Sequence, residues 1–561
     1  MLRAGVVAVV CAILGIFVGA GLAAAHAVLI STNPGQGAVI AMAPSAVSLT
    51  FSESVAVTAD GIQIFGPDGA QLDTGDAVHL GRASTVGVNL RGIQQRGTYT
   101  VSWRVMSADS HPVAGAFTFS VGQPSPNRAP ATAQPSGSTT LDVVYGIVRA
   151  AGFASFALLV GSIAFVLLCW PGVIARGEVR RIMLAGWAGL LAATMAGLLL
   201  QGPYGAGLGL DRLFDSAVFS ATVDSRFGAA STARLMVLAL TGAYVVLLSA
   251  WLGTCARRGQ VWFGALGLVL AGGLASTWAV AGHAAAGLQP ALALPVDVVH
   301  LLAMGVWLGG LATLVAILSS AAATSAELPA AVYRFSSIAT GSVLVLIGTG
   351  SYQSWRQLGS WAAFGSTGYG QLLLAKLVIF ALLLGVATMS RSWITRHRRS
   401  PIGVGAASQT FPAVTTLRRR VLREAVLGAA VLCVTALLVN AVPGRTALAA
   451  PAHHIVSYDT EGPGGQGQLT IDVDSATEPD TISVTVTDPA GNPRNVPELN
   501  ATQTLPAKRL GPFPVELQRR APGRYVATGI QIPVAGTWQL AVTVRTSDID
   551  RTTVTTLIDI R

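Results

Sequence analysis

The stretch Ser102–Gly122, SWRVMSADSHPVAGAFTFSVG, decides the fold of the region around it. Two runs rich in β-branched and aromatic residues flank the short segment ADSH, a pattern typical of two strands joined by a turn. Asp109 and His111 are two positions apart, so an extended backbone points both side chains to the same side. Pro112 favours extended geometry at His111. The stretch therefore predicts a β-hairpin that presents a carboxylate and an imidazole together.

The sequence around this hairpin continues the same alternation. Residues 26–122 contain AVSLTFSE, GIQIFGPDGAQL and TVGVNLRG, each bounded by turn residues. Short strands at a spacing of about 8–12 residues are typical of a sandwich or barrel, and we predict an N-terminal Ig-like β-sandwich. Residues 451–561 alternate in the same way and predict a small C-terminal β-sandwich. Residues 123–141 are rich in Pro, Ser and Ala and indicate a linker.

The composition identifies a membrane protein. Of 561 residues, 52% are hydrophobic and 11% are charged, whereas soluble domains carry about 25% charged residues. Residues 142–442 hold eight apolar segments long enough to cross a bilayer, which predicts an eight-helix α-helical transmembrane bundle. The predicted segments are 143–169, 181–201, 230–252, 261–281, 292–319, 333–355, 370–390 and 421–442. The fold class is thus a multi-domain membrane protein with the lipid bilayer as a partner.

The arginines predict the orientation in the membrane. The net charge is +10, but the arginine clusters lie between apolar segments and indicate topology instead of nucleic-acid binding. Alternate connections all contain arginine, at 175–181, 257–258, 327–334 and 391–423. The positive-inside rule makes these connections cytoplasmic. Both soluble domains are then extracytoplasmic, and the expected location is the cytoplasmic (inner) membrane.

The N-terminus predicts a processed export signal. Residues 1–25 combine a positive start, an apolar run and small residues before His26, as in a secretory signal peptide. Cleavage after Ala25 makes His26 the first mature residue, whereas cleavage after Ala27 removes it, and the sequence leaves both registers open. None of the four cysteines lies in a predicted exported domain, so we expect no disulfide framework.

A mature N-terminal His26 adds an amine and an imidazole to the donors of Asp109 and His111. Four nitrogen and oxygen donors suit Cu(II), which prefers a tetragonal arrangement. The alternative interpretation is that Asp109 and His111 are ordinary polar turn residues.

Residues 26–122 resemble the CopC family of exported copper-binding domains. The resemblance rests on His26, on NPGQGA at 33–38, on VSLTFSE at 47–53 and on the Ser102–Gly122 hairpin. It implies that His26, Asp109 and His111 bind Cu(II). The sequence lacks the Met-rich segment that some members use for Cu(I).

Residues 142–442 resemble the CopD family of membrane proteins. The matching segments are LLLQGPYGAG at 198–207, GHAAA at 282–286, DVVHLLAMGVWLGGL at 297–311, YRFSSIA at 333–339 and GYGQLLLAK at 368–376. A CopC-like domain followed by a CopD-like domain resembles a CopC–CopD fusion, which implies copper uptake, homeostasis or resistance.

The bundle contains candidate copper ligands of its own. His283 and His300 flank the outer connection between the fourth and fifth segments, and Met304 follows His300 by one helical turn. Imidazole and thioether together suit Cu(I), although the sequence leaves Cu(I) or Cu(II) open in the membrane. Lys376 is a further charge within a predicted span.

We therefore predict that the chain is not an enzyme. We expect it to capture copper outside and to transfer it into or across the membrane, with extracytoplasmic copper chaperones as partners. One alternative is a haem-binding electron carrier that uses His283 and His300 as axial ligands. A second is anchored copper sequestration without transport, and a third is an exported copper enzyme.

Overall fold

The computed structural model describes residues 27, 29–35, 38–57, 61–91, 95–108, 110–123, 125, 139–254, 256–286, 288–398, 410–445, 452–461, 465–474, 481–489, 492–505, 510–528 and 536–560. The chain divides into two compact units. One contains residues 106–112 together with 137–445, and the other contains 27–105, 113–136 and 446–561. The predicted signal peptide, His26 and Asp109 lie outside the described residues.

The N-terminal domain is a β-sandwich. Its strands are β1 (Leu29–Asn33), β2 (Val39–Ile40), β3 (Ala46–Phe51), β4 (Val55–Ala56), β5 (Ile62–Phe65), β6 (Val78–His79), β7 (Thr85–Asn89), β8 (Gly97–Ser107) and β9 (Pro112–Val121). One sheet has the order β1-β3-β7-β6, and the other has the order β2-β9-β8-β4 with β5 also paired to β8.

Alternating apolar residues build the core of this sandwich. Along β3 every second side chain is buried, as the period of two predicts. Phe51 meets Trp103 edge-on at 5.2 Å between ring centroids, and Tyr99 stacks on Phe119 at 5.1 Å. The predicted β-sandwich and its β8–β9 hairpin are confirmed.

The C-terminal domain is built from two antiparallel sheets. Its strands are β10 (Ala452–Asp459), β11 (Gln466–Asp474), β12 (Thr481–Thr487), β13 (Glu498–Leu505), β14 (Leu510–Val515), β15 (Gln518–Ala521), β16 (Arg524–Thr528), β17 (Gly536–Arg545) and β18 (Arg551–Ile560). The sheet orders are β10-β11-β12-β16-β15 and β14-β13-β17-β18. Trp538 is fully buried among the apolar side chains of its core.

The region between the β domains is helical. Its α-helices are α1 (Thr139–Leu168), α2 (Gly177–Ala206), α3 (Ser216–Val223), α4 (Arg226–Trp251), α5 (Arg257–Ala281), α6 (Pro290–Met304), α7 (Gly310–Leu318), α8 (Leu328–Leu358), α9 (Ala363–Ser366), α10 (Gly368–Arg398) and α11 (Thr410–Asn440). A π-helical segment, Gly305–Gly309, joins α6 to α7, so these three elements form one continuous rod.

Eight helices of the described chain are long and apolar enough to cross a membrane, counting the α6–α7 rod as one. All eight predicted segments fall on them, and most helices extend several residues beyond the prediction because polar flanking residues continue the helix. The helix α1 begins at Thr139, so the last residues of the predicted 123–141 linker are helical. The Gly, His and Pro residues around 281–297 coincide with the boundary between the fourth and fifth spans, where α5 ends at Ala281 and α6 begins at Pro290.

Three short elements were not expected from the sequence: α3, α9 and the π-helical segment. The carboxylate of Asp215 accepts hydrogen bonds from the backbone N–H groups of Ala217 and Val218 at the start of α3. These hydrogen bonds, with that from Val218 foremost, hold the pKa of Asp215 below its usual range. The cap therefore persists at neutral pH and weakens only as the pH falls through that lowered pKa.

Helix α1 and the α6–α7 rod form the centre of the bundle. Both are buried over most of their apolar length, unlike the other six spans. The two helices approach so closely at Gly161 that no side chain fits there. A Cβ added at Gly161 would lie 2.5 Å from the carbonyl oxygen of Gly305 and from the Cα of Gly309. Small residues at a helix crossing permit this approach. The π-helical segment therefore lies where α1 crosses the rod.

Candidate copper site

The tip of the β8–β9 hairpin, Met106–Pro112, belongs to the same compact unit as the helices. Ser110 has a φ of 69°, in the left-handed region, and its N–H donates to the carbonyl of Ser107 at 2.9 Å. The Ser110 hydroxyl donates to the carbonyl of Ala281 at 2.8 Å. The Gln201 amide donates to the carbonyl of Ser110 at 3.3 Å. Residues from α2 and α5 therefore fix the backbone that carries His111.

His111 is buried within this unit, with 3% of its surface exposed. Its Nε2 lies 2.7 Å from the carbonyl oxygen of Val439 at the end of α11. A carbonyl oxygen only accepts hydrogen bonds, so Nε2 carries a proton and donates it to Val439. While this hydrogen bond is made, Nδ1 is the ring nitrogen through which His111 would bind a metal ion.

The imidazoles of His111 and His283 are stacked. Their ring centroids are 4.6 Å apart, and the planes are within 5° of parallel. The lone pair of an imidazole lies in the plane of the ring, so one ion cannot bind to both rings between the stacked faces. It would have to lie at the ring edges. This arrangement brings together a predicted Cu(II) ligand of the hairpin and a predicted ligand of the bundle.

The connection between α5 and α6 positions His283. His283 begins a short 3₁₀ turn, His283–Ala285. Arg356, near the end of α8, is 5% exposed and donates to this connection. Its Nη1 lies 2.7 Å from the carbonyl oxygen of His283, its Nε lies 2.6 Å from that of Leu288, and its Nη2 donates to that of Ala286. One buried guanidinium thus holds three carbonyl groups of the His283 connection.

His300 lies further along α6 and has a different partner. Its Nδ1 is 2.8 Å from the hydroxyl oxygen of Thr349 on α8. The Thr349 hydroxyl donates its single proton to the carbonyl of Val345 at 2.7 Å. The oxygen therefore accepts from His300, which places the proton on Nδ1 and the lone pair on Nε2. A fixed tautomer of this kind is typical of a histidine oriented by its neighbours.

Met304 is buried among the apolar side chains of the bundle core, directly before the π-helical segment. It follows His300 by one turn of α6, as the sequence predicted, and its assignment as a copper ligand stays a prediction. The ligand assignments of His283 and His300 are likewise predictions.

The described residues contain no cluster of three His, Cys, Asp or Glu side chains able to hold a metal ion. Of the three predicted Cu(II) ligands, His111 is described, whereas His26 and Asp109 fall outside the described part of the chain. The assignment of His26, Asp109 and His111 therefore stays a prediction.

Two polar residues near this site were missed by the sequence analysis. Asp297 precedes His300 by three positions on α6, and the Gln353 amide donates to its Oδ1 at 2.9 Å. An aspartate one helical turn before a membrane histidine is a readable signal, because charged residues inside a span usually serve a function. Arg356 gave a second signal, since an arginine near the predicted outer end of a span runs against the positive-inside rule.

Three family models match separate regions of the chain. Residues 29–122 match the CopC domain, residues 140–291 match the copper resistance protein D-like N-terminal domain, and residues 329–438 match copper resistance protein D. The copper transport protein CutJ of Bacillus subtilis (strain 168) is 26% identical over 411 residues, which cover 70% of this chain and 74% of CutJ. This chain belongs to the CopC–CopD family.

Relatives of the CopC domain alone are more similar. Protein YobA of Escherichia coli (strain K12) is 38% identical over 98 residues, covering 17% of this chain and 79% of YobA. Copper resistance protein C of Pseudomonas syringae pv. tomato is 34% identical over 106 residues, covering 18% of this chain and 83% of that protein. The CopC–CopD fusion is therefore a member of a copper resistance and transport family.

Among solved structures, CopC from Methylosinus trichosporium OB3b is 25% identical and covers 18% of this chain and 98% of its own length, with a TM-score of 0.16. PcoC, a methionine-rich copper resistance protein from Escherichia coli, is 26% identical and covers 17% of this chain and 98% of its own, also at 0.16. Residues 465–555 of the C-terminal domain match FixH.

Proposed function

We propose that the CopC–CopD fusion captures Cu(II) outside the cytoplasmic membrane and passes copper to its helical bundle where His111 meets His283. The observation that carries this proposal is the stacked pair of imidazoles, 4.6 Å apart, formed by one residue from each predicted copper site. An ion bound to one ring is then within a few ångströms of the next ligand.

The capture site uses the donors predicted from the sequence. Cleavage after Ala25 supplies the amine and the imidazole of His26, and the hairpin supplies Asp109 and His111. Copper at Nδ1 of His111 leaves the Nε2–H bond to Val439 intact.

Transfer then proceeds by exchange of ligands. His283 replaces a donor of the capture site while Arg356 holds the backbone of His283 in place. His300, with its lone pair on Nε2, and Met304 are the next donors along α6. Imidazole and thioether donors suit copper in its reduced state, and an imidazole also binds Cu(II).

The orientation follows the arginines. The connections that follow α1, α4, the α6–α7 rod and α10, together with the first turns of the helices after them, contain arginines and face the cytoplasm in this proposal. The His283 connection is then at the opposite, extracytoplasmic end, and both β domains are on that same side. The proposed partners are copper ions, the lipid bilayer and extracytoplasmic copper chaperones.

Radioactive copper uptake tests the proposal. Cells producing the intact chain are compared with cells producing His283→Ala and His79→Ala variants. His79 is the matched control, because its Nε2 also contacts a backbone carbonyl, that of Val55 at 2.8 Å, but within the β-sandwich. We expect uptake to fall toward the background of cells without the gene in His283→Ala and to persist in His79→Ala.

Two of the alternative functions predict outcomes of their own. Equal uptake by His283→Ala and the intact chain would refute the transfer step. Copper binding without any gene-dependent uptake would instead support anchored sequestration. A Soret band in the purified protein that disappears in His300→Ala would support the haem-binding alternative.

A further inference from the structure

A cavity of about 50 Å³ lies among α1, α2, α4 and α5, beside the hairpin tip. Its polar lining consists of Ser110, Tyr145, Arg149, Thr194 and Arg234. Trp278 and several apolar side chains complete the wall. The cavity has room for a small ion or a few water molecules. It does not belong to any of the predicted copper sites.

Two guanidinium groups supply the charge of this cavity. Arg234 is 6% exposed, and its Nε donates to the Thr277 hydroxyl at 2.8 Å. Its guanidinium carbon lies 3.9 Å from the centroid of the Trp278 ring. Arg149 is half-buried, and its Nη1 donates to the side-chain oxygen of Asn440 at 2.6 Å. A guanidinium has five N–H donors, so these neutral partners satisfy only part of each group.

The other polar side chains of the lining are engaged elsewhere. The Ser110 hydroxyl donates to Ala281, the Thr194 hydroxyl donates to Leu190, and the Tyr145 hydroxyl donates to Gln201. Among the residues that the structure describes, no aspartate or glutamate lines the cavity. The ion pairs of the described chain involve Arg212 and Arg545 but neither cavity arginine. Asp142, two turns before Arg149 on α1, is exposed.

Within the described part of the chain these two positive charges have no carboxylate partner, which is unfavourable inside an apolar bundle, because little solvent is present to stabilise them. We propose that this cavity binds a small monovalent inorganic anion such as chloride, which accepts hydrogen bonds from both Arg149 and Arg234. The inference rests on the cavity and its two arginines and does not depend on the proposed copper function.

The position of the cavity gives the anion a role. Ser110 precedes His111 and Gly282 precedes His283, and both Ser110 and Gly282 line the cavity. Without an anion, the two guanidiniums repel a copper cation at the stacked histidines. An anion in the cavity offsets that repulsion and lowers the electrostatic barrier for the cation.

The test uses the full-length protein, purified in detergent and freed of metal with a chelator. Chloride replaces gluconate at constant ionic strength while the midpoint of thermal unfolding and the line width of the ³⁵Cl resonance are measured. Gluconate is too large for the cavity. We expect a saturable rise in the midpoint and saturable broadening of the resonance with chloride.

Three arginine variants localise the effect. Arg234→Gln and Arg149→Gln should each weaken chloride binding about tenfold or more, since each removes a charged donor. Arg149 is only half-buried, so its variant keeps the test decisive if Arg234→Gln does not fold. Arg180→Gln is the matched control, because Arg180 is exposed at the start of α2, and it should bind chloride like the intact chain.

Two results would overturn the proposal. One is chloride broadening that does not saturate or that persists unchanged in Arg149→Gln. The other concerns Asp109, which is adjacent to Ser110 and is the competing internal anion. If chloride binds only after Asp109→Asn, the carboxylate of Asp109 occupies the cavity and no external anion does.

Discussion

Removal of the Arg356 guanidinium should release the connection that carries His283. Arg356→Leu leaves the carbonyl groups of His283, Ala286 and Leu288 without this donor. A hydrogen bond to a charged group contributes about 1.5–3 kcal/mol, so three such bonds set an upper range of about 4.5–9 kcal/mol. Because water reaches the end of the bundle and replaces part of this, we expect a loss of about 3 kcal/mol in the free energy of unfolding.

The free energy of unfolding of Arg356→Lys should lie between those of the intact chain and Arg356→Leu. A single ammonium group keeps the charge, but its donors radiate from one nitrogen and cannot span three carbonyl groups as the guanidinium fork does. Arg334→Leu is the matched control, because Arg334 lies at the opposite end of α8 and donates to one carbonyl, that of Cys169 at 3.1 Å. We expect Arg334→Leu to lower the free energy of unfolding by about 0.5–1 kcal/mol.

The assays are denaturant unfolding in detergent and copper uptake by cells over a range of copper concentrations. If Arg356 positions His283, Arg356→Leu should lower the maximal rate of uptake after correction for the amount of folded protein, whereas Arg334→Leu should not. The reasoning is refuted if both variants lose the same stability. It is also refuted if folded Arg356→Leu transports copper at the rate of the intact chain.

Three further predictions address other parts of the chain. Thr349→Val removes the acceptor of the His300 Nδ1–H, so it should shift the ¹⁵N resonances of the His300 ring and lower copper uptake. Thr349→Ser keeps the hydroxyl and should leave the resonances and the uptake unchanged. Unchanged resonances in Thr349→Val would contradict the tautomer assigned to His300. Gly309→Ala would drive a Cβ into the carbonyl of Ala157 and should destabilise the bundle by about 1–3 kcal/mol. Gly341→Ala, in open space on α8, is the control and should leave the midpoint of thermal unfolding unchanged or raise it. Equal midpoints for the two variants would show that α1 and the rod separate freely. N-terminal sequencing of the mature protein should begin at His26, and an alanine added before His26 should weaken Cu(II) binding measured by calorimetry; a mature chain beginning at Val28 would remove the amine and one imidazole from the proposed site.

The sequence alone determined the elements of this protein because local physics sets them. The apolar length needed to cross a bilayer marked all eight spans, and alternation in segments such as Ala46–Phe51 marked the strands. The same residues that fix these elements carry the resemblance to CopC and CopD, so the family followed as well. The π-helical segment escaped prediction, because it depends on how α1 packs against the rod at Gly161 and Gly309.

Only the tertiary structure decided which polar residues meet. His111 and His283 are far apart in the chain, and nothing in either local sequence predicts that their rings stack. The same holds for Arg356 and the three carbonyl groups it binds, and for Arg149 and Arg234 around one cavity. Helix and strand formation depends on neighbours along the chain, whereas a site depends on contacts between residues distant in sequence. Those contacts arise only when the helices and the hairpin tip pack together.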